Sequence, residues 1–408
     1  MIAKPKRPRG AALGAIGAAV LAAALFAAIL AAGPKHNWDM IPYIACADGL
    51  ADAEKDPAAL QSAAYRAVRA AVPPETYREL TDPIGWANTY RKTLASDPRA
   101  FAETLPVYCY KLAYVAAIAG VSAFGVAPPT AAFLVSASAA AAAVLLLGLW
   151  LGRRIGALGP PVLIVAAMAG LYQTARYATP DAMLALLLIG GLIAYAEGRV
   201  RLGAAILTAA LLVRMDAIVY LGAYLAIAGG GALRGRAGFR AQARVIAPLA
   251  GFAALGLALY AAIGAWIEPP GYRAVFVHSF IANIPMLASA DPPLAFSTYL
   301  DVLGARSLEV LERGAKLPIL ILLTAAALLA TRAEDDPARR RAAQAAGLAL
   351  AAAALHFLIF PWYSTRYYAG HLAIMTAGAL VALLPVAASL AARHLGEVPR
   401  RPPDGGAP

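Results

Sequence analysis

The residues of this chain that could do chemistry fall in four short clusters, each beside a long apolar run. The first is Lys35-His36-Asn37-Trp38-Asp39-Met40-Ile41-Pro42-Tyr43. A carboxylate at a bilayer surface can serve as a general base or sit beside a metal, and Lys35, His36 and Tyr43 are its candidate supports. Asp39 can equally cap a helix, because Asp is favoured at that position and Pro42 follows within a turn. The second cluster runs from Tyr172 to Asp181. Its end reads locally as a Thr179 cap, Pro180 in the first turn and Asp181 near a helix N-terminus, where a negative charge is favoured. That reading leaves Arg176 and two tyrosines at the same depth without a reason.

The third cluster is Val213-Arg214-Met215-Asp216, between two apolar segments. Residues i and i+2 do not share a helix face, so a continuous helix would not pair Arg214 with Asp216, and charges so placed usually line a cavity. The fourth, Phe360 to Tyr368, wraps aromatics around Arg366, with Tyr367 adjacent; its simplest use is snorkelling at the interface. Taken together, the four describe a cavity. Asp39 is the candidate base, and Arg366 and Arg214 are candidates for phosphate, which an arginine fork grips with two parallel hydrogen bonds. Asp181 is a candidate for orienting an acceptor or holding a divalent metal such as Mg or Mn. Arg176, Asp216 and Tyr367 support the site.

The elements that must position these residues are transmembrane. Of the 408 residues 61% are hydrophobic and 14% charged, against about 25% charged in a soluble protein. Apolar blocks predict about ten spans, near 11–32, 130–152, 156–172, 182–196, 202–213, 217–230, 246–267, 317–331, 342–360 and 368–391. The pair 202–213 and 217–230 reads as two half-depth helices or one bent element. The first block is longer than a signal-peptide core and is expected to be retained. Segment 106–126 is apolar enough to cross, but Tyr108, Tyr110, Lys111 and Tyr114 line its first turns.

Charge decides that case. With 106–126 interfacial or re-entrant, 19 of the 35 basic residues but only six of the 23 acidic ones fall on the cytoplasmic side, as the positive-inside rule requires. The net charge of +12 is thereby assigned to membrane orientation and not to nucleic acid. The expected architecture is all-α, a single transmembrane domain over 1–396 with both termini cytoplasmic. It has outer loops at 33–105 and 268–316 that contain interfacial helices, and a disordered tail at 397–408. Cys46 and Cys109 both fall outside, where oxidation permits a bridge from the start of the first loop to segment 106–126; the favoured expectation is two small, buried, free thiols.

The pattern resembles the GT-C superfamily of integral membrane glycosyltransferases, which includes protein O-mannosyltransferases and lipid A aminoarabinose transferases. The likeness rests on an acid in the first outer loop (Asp39), Arg-Tyr-Ala-Thr-Pro-Asp before a later helix (Arg176 to Asp181), Leu-Val-Arg-Met-Asp (Leu212 to Asp216) and a late Arg-Tyr-Tyr (Arg366 to Tyr368). It departs from members with two adjacent first-loop acids, since Asp39 is flanked by Trp38 and Met40. The resemblance implies an inverting enzyme of a bacterial inner membrane. Its donor would be a polyprenyl-phosphate sugar, and its acceptor an envelope glycan, lipid or protein. A transporter of a lipid-linked or small anionic substrate also uses intramembrane charges and broken helices, but it would show internal repeats, and none is evident. A scaffold without chemistry would leave the outer-face acids unexplained.

Overall fold

The computed structural model describes residues 9–51, 56–85, 88–156, 159–234, 239–314, 316–332 and 336–396. The expected disordered tail, 397–408, lies outside them. The chain is helical throughout the described residues. Helix α1 (Arg9–Ala32) is followed by α2 (Met40–Ala51) and four short helices, α3 (Pro57–Ala71), α4 (Pro74–Thr81), α5 (Asn88–Ser96) and α6 (Pro98–Thr104). Next come α7 (Pro106–Cys109), α8 (Leu112–Ala123), α9 (Pro128–Ile155), α10 (Gly159–Ala169), α11 (Leu171–Arg176), α12 (Asp181–Ala196) and α13 (Val200–Ala209). A single 3-10 turn, Ala210–Leu212, precedes α14 (Ala217–Arg234) and α15 (Phe239–Ile267). The chain closes with α16 (Tyr272–Phe280), α17 (Phe296–Arg313), α18 (Lys316–Ala330), α19 (Pro337–Ile359) and α20 (Thr365–Gly396).

Several starts are written in the sequence as Asp-Pro. Asp56 and Asp336 each accept two backbone N–H groups, and Asp97 accepts one, at the heads of α3, α19 and α6. In each, proline follows at the first helical position, where its missing N–H costs nothing. Helix α1 ends on Gly33, whose φ of +69° is the left-handed conformation that stops helices.

Five helices are long and apolar enough to cross a membrane, or seven if two bent pairs each count as one. These mark a membrane protein. Leu257, Trp266, Leu322 and Leu329 are well exposed on α15 and α18, as lipid-facing side chains would be. The long helices answer to the expected spans 11–32, 130–152, 246–267, 342–360 and 368–391. Helix α18, over the expected span 317–331, is one half of a bent pair. The other four expected spans hold apolar helical stretches of 10–17 residues. At 1.5 Å per residue the 16 residues of α12 reach about 24 Å, short of a hydrocarbon core of about 30 Å. Over 106–126 no straight helix forms: the chain breaks at Tyr110-Lys111, and the two arms meet at 104°.

The long helices pack closely where side chains are small. A Cβ on Gly148 of α9 would stand 2.8 Å from the Ala18 Cβ of α1, and one on Gly378 of α20 would stand 2.6 Å from the Ala342 carbonyl of α19. Small residues at such crossings let apolar helices approach in lipid. The segment 33–105, expected to be the first outer loop, folds over one end of the bundle. Ile41, Tyr65, Val68, Leu94 and Phe101 share a core with Tyr114 and Ile118 of α8.

The two charge populations separate along the helices. Glu197, just past the C-terminus of α12, pairs with Arg154 of α9, and Arg341 of α19 donates to the Ala196 carbonyl at 3.1 Å. Asp181 and His356 stand at the opposite ends of α12 and α19.

One expectation is corrected. Cys46 and Cys109 are not free thiols but a disulfide between α2 and α7. The packing of α2 on α7 brings their Cα atoms to 5.2 Å across 63 residues of sequence, a proximity with no local signature. Cross-linking a loop of that length stabilises the fold by about 4 kcal/mol in the chain-entropy account. Cys109→Ser should therefore lower the thermal midpoint in detergent, and the intact protein should show two thiols only after reduction. Two reactive thiols in unreduced, denatured protein would refute the bridge.

Candidate functional site

Asp39, Asp181, Arg214, Arg366, Tyr43 and Tyr367 all line one cavity of about 390 Å³ between the bundle and segments 33–105 and 268–316. Each charged member sits where a helix begins or breaks. Asp39 immediately precedes α2, Asp181 opens α12, Arg214 falls in the break before α14, and Arg366 is in the first turn of α20. Irregular backbone at membrane depth is tolerated where it lines a cavity.

Arg214 is the most heavily engaged. Its Nη1 donates to Asp181 Oδ1 at 2.5 Å, and its Nε and Nη2 donate to Asp216 at 3.1 and 2.6 Å. The pairing excluded for a continuous helix forms because the helix is interrupted between Leu212 and Ala217. Behind Arg214, Asp216 Oδ2 is 2.9 Å from His356 Nε2, and His356 Nδ1 is 3.1 Å from the Tyr368 hydroxyl. A carboxylate only accepts, so Nε2 carries a proton; in the neutral ring Tyr368 then donates to Nδ1.

Arg366 is held more loosely. Its Nη2 donates to Asp39 Oδ2 at 3.2 Å and to the Tyr367 hydroxyl at 2.9 Å, and its Nε lies 3.6 Å from Asp181. Both guanidiniums stack on the Tyr367 ring, at 4.9 and 4.8 Å from its centroid. Asp39 does not cap α2 with its side chain. Its oxygens accept from Asn37 at 3.0 Å, from Tyr108 at 3.4 Å and from Arg366. Thr179 likewise spends its hydroxyl on Asp181 Oδ2, at 2.8 Å, and the residue preceding α12 is Pro180.

Three expected supports stand elsewhere. Arg176 donates to the Ala32 and Gly33 carbonyls at 3.1 and 3.0 Å, closing the C-terminus of α1. Lys35 lies over the Tyr177 ring. His36 does not line the cavity, and burial pushes its pKa down. The divalent cation considered at Asp181 does not fit. That carboxylate is 2% exposed, and its oxygens already face two guanidiniums and a hydroxyl. No cluster of metal-ligating side chains occurs among the described residues.

Other residues enter that sequence reasoning did not place in the site. Lys111, at the break between α7 and α8, is buried in the cavity wall. It donates to the Val107 carbonyl at 2.8 Å and stands over the rings of Tyr43, Tyr108 and Tyr110 at 4.7 to 5.0 Å. Among the described residues no carboxylate lies within ion-pair distance of it. His356, the one ionisable residue in the apolar stretch 342–360 of α19, carried a readable signal. The outer wall holds Tyr90 and His278, whose rings pack at 4.7 Å. The His278 Nδ1 accepts the Ile284 N–H at 3.0 Å, so its neutral ring carries the proton on Nε2. Burial pushes the pKa of His278 down to about 4.

Beside this polar cavity, across the α19–α20 junction, lies an apolar cleft of about 300 Å³ lined by Val310, Ile321, Leu350, Phe357, Tyr368 and Leu372. His356 and Tyr367 face the polar side, and their chain neighbours Phe357 and Tyr368 face the apolar side.

Removing Arg214 would leave Asp181 and Asp216 without their cation. Arg214→Ala should destabilise the protein by about 3–5 kcal/mol, with little recovery in Arg214→Lys, which lacks the fork. Arg366→Ala, at a half-buried pair, should cost less than about 1 kcal/mol. Thermal unfolding in detergent measures both, and equal losses would contradict the assignment. For His278 the folded pKa lies below the ordinary 6.5, so the unfolded chain binds a proton that the native ring refuses. Stability should therefore fall as pH drops from 6.5 towards 4. The fall should be smaller in His278→Gln, and an unchanged pH dependence would argue against a buried neutral ring.

Compared with family models, with curated proteins and with solved structures, the chain finds no match.

Proposed function

We propose that the protein is a GT-C-type membrane glycosyltransferase that moves a sugar from a polyprenyl-phosphate donor to an acceptor glycan, lipid or protein on the non-cytoplasmic face. The observation that carries this reading is the junction of two unlike chambers. A polar cavity holding acids and cations adjoins an apolar cleft with almost no polar lining. A ligand with an anionic head and a hydrocarbon tail fills both; a small soluble anion has no use for the second.

In the proposed reaction Arg366 and Lys111 hold the phosphate, while Arg214 stays with its carboxylates and positions Asp181. The acceptor oxygen attacks the anomeric carbon, and the carbon–oxygen bond to phosphate breaks with its electron pair leaving on the phosphate. Asp39 takes the acceptor's proton. The positive charge around the phosphate steadies the departing dianion. Attack opposite the leaving group inverts the anomeric carbon.

The proposed orientation places both termini in the cytoplasm of a bacterial inner membrane, with the short helices completing about ten crossings or half-crossings. Arg154 and Arg341 then face inward, by the positive-inside rule. The disulfide fits the same orientation, because thiols pair in oxidising compartments.

The test is sugar transfer from polyprenyl-phosphate donors by purified protein. Asp39→Asn keeps the shape and most hydrogen bonds but removes the base. It should lower turnover about 10²–10⁴-fold, with expression and thermal stability retained. An Asp39→Asn protein as active as the parent would end the catalytic assignment.

A further inference from the structure

The two arginines of the site are not equivalent. Arg214 and Asp181 are 12% and 2% exposed, and three N–H groups of Arg214 serve two carboxylates. Drawing Arg214 away would strand both acids in a poorly solvated interior, which is strongly unfavourable. Arg366 and Asp39 are 20% and 28% exposed and share one hydrogen bond of 3.2 Å. The second ionic contact of Arg366, to Asp181, is 3.6 Å long, beyond good hydrogen-bond geometry, and Asp181 keeps Arg214 and Thr179 without it. Among the described residues Arg366 Nη1 has no hydrogen-bond partner, and Lys111 uses one of its three N–H groups. Arg366 can therefore change partners where Arg214 cannot.

We propose that Asp39 and the anionic head of the ligand compete for Arg366, so that arrival of the anion releases the Asp39 carboxylate. The inference rests on the lipid-phosphate reading for its ligand and on the unequal pairing for its mechanism. With Arg366 turned to the phosphate, Asp39 retains two neutral donors, Asn37 and the more distant Tyr108. A carboxylate engaged by a guanidinium has a lone pair occupied and its charge partly neutralised; released, it can accept a proton from an acceptor hydroxyl. Anion binding thus precedes the exposure of the base. The order of binding is donor first and acceptor second.

Competition has a thermodynamic signature. Farnesyl phosphate is the probe and farnesol the uncharged control, titrated by calorimetry into the full-length protein and into Asp39→Asn, Arg366→Gln and the double variant. Asp39→Asn should bind farnesyl phosphate about fivefold more tightly, and that gain should vanish in the Arg366→Gln background. Farnesol affinity should not change. A gain of equal size in both backgrounds would mean simple charge repulsion, and would overturn the exchange while leaving the lipid-phosphate reading intact. Unchanged or weaker binding in Asp39→Asn would overturn it as well. If farnesyl phosphate binds no better than farnesol to either the parent or Asp39→Asn, the anionic ligand itself is wrong and both readings fall. Should Arg366→Gln bind too weakly for the cycle to close, the structure with farnesyl phosphate decides. An Arg366–Asp39 hydrogen bond persisting beside the bound headgroup would refute the exchange.

Discussion

Arg214 cannot exist where it does without Asp181 and Asp216, and much of the site follows from that. A guanidinium away from water is tolerated only when its donors are met in good geometry. The three elements that meet them are remote in sequence: the head of α12, the break before α14 and, through His356, the end of α19. Tyr368 adds α20, and Arg366 continues from Asp181 to Asp39. One alternating chain of donors and acceptors thus joins five parts of the fold. Close helix contacts at Gly148 and Gly378 hold the bundle tightly enough to keep such a chain in register.

Helix breaks are what this chemistry demands. A side chain in the middle of an uninterrupted apolar helix faces lipid or another helix. One at a break can face a cavity, with free backbone groups beside it. The same breaks leave α12, α13 and α14 short. Exposed apolar side chains lie along α15 and α18, while the acids and arginines of the site lie at helix starts and breaks.

Much of this was legible in the sequence, for identifiable reasons. Apolar runs give long helices wherever they are uninterrupted, and Asp39, Asp181, Arg214 and Arg366 converge because each borders such a run on one side of the membrane. Hydropathy does not register breaks, so a span such as 156–172 reads longer than the helix it forms, Gly159–Ala169, which stops at the left-handed Gly170. Lys35, His36 and Arg176 lie near site residues in sequence, but the left-handed turn at Gly33 and the needs of the α1 carbonyls direct them elsewhere. Lys111, His278 and the His356–Asp216 pair depend on contacts across tens to hundreds of residues. Nothing in their neighbourhoods announces those contacts.

The bond between Cys46 and Cys109 lies seven residues beyond Asp39 and two before Lys111, so the acid and the uncommitted cation hang from the same covalent clasp. Closing it requires an oxidant, which a reducing cytosol withholds. In the proposed orientation the clasp therefore closes only once its loop has left the cytosol. A molecule inserted the wrong way round would have the same sequence, the same helices and the same charges. It would carry two thiols, and the segments bearing its acid and its lysine would be joined by nothing stronger than packing.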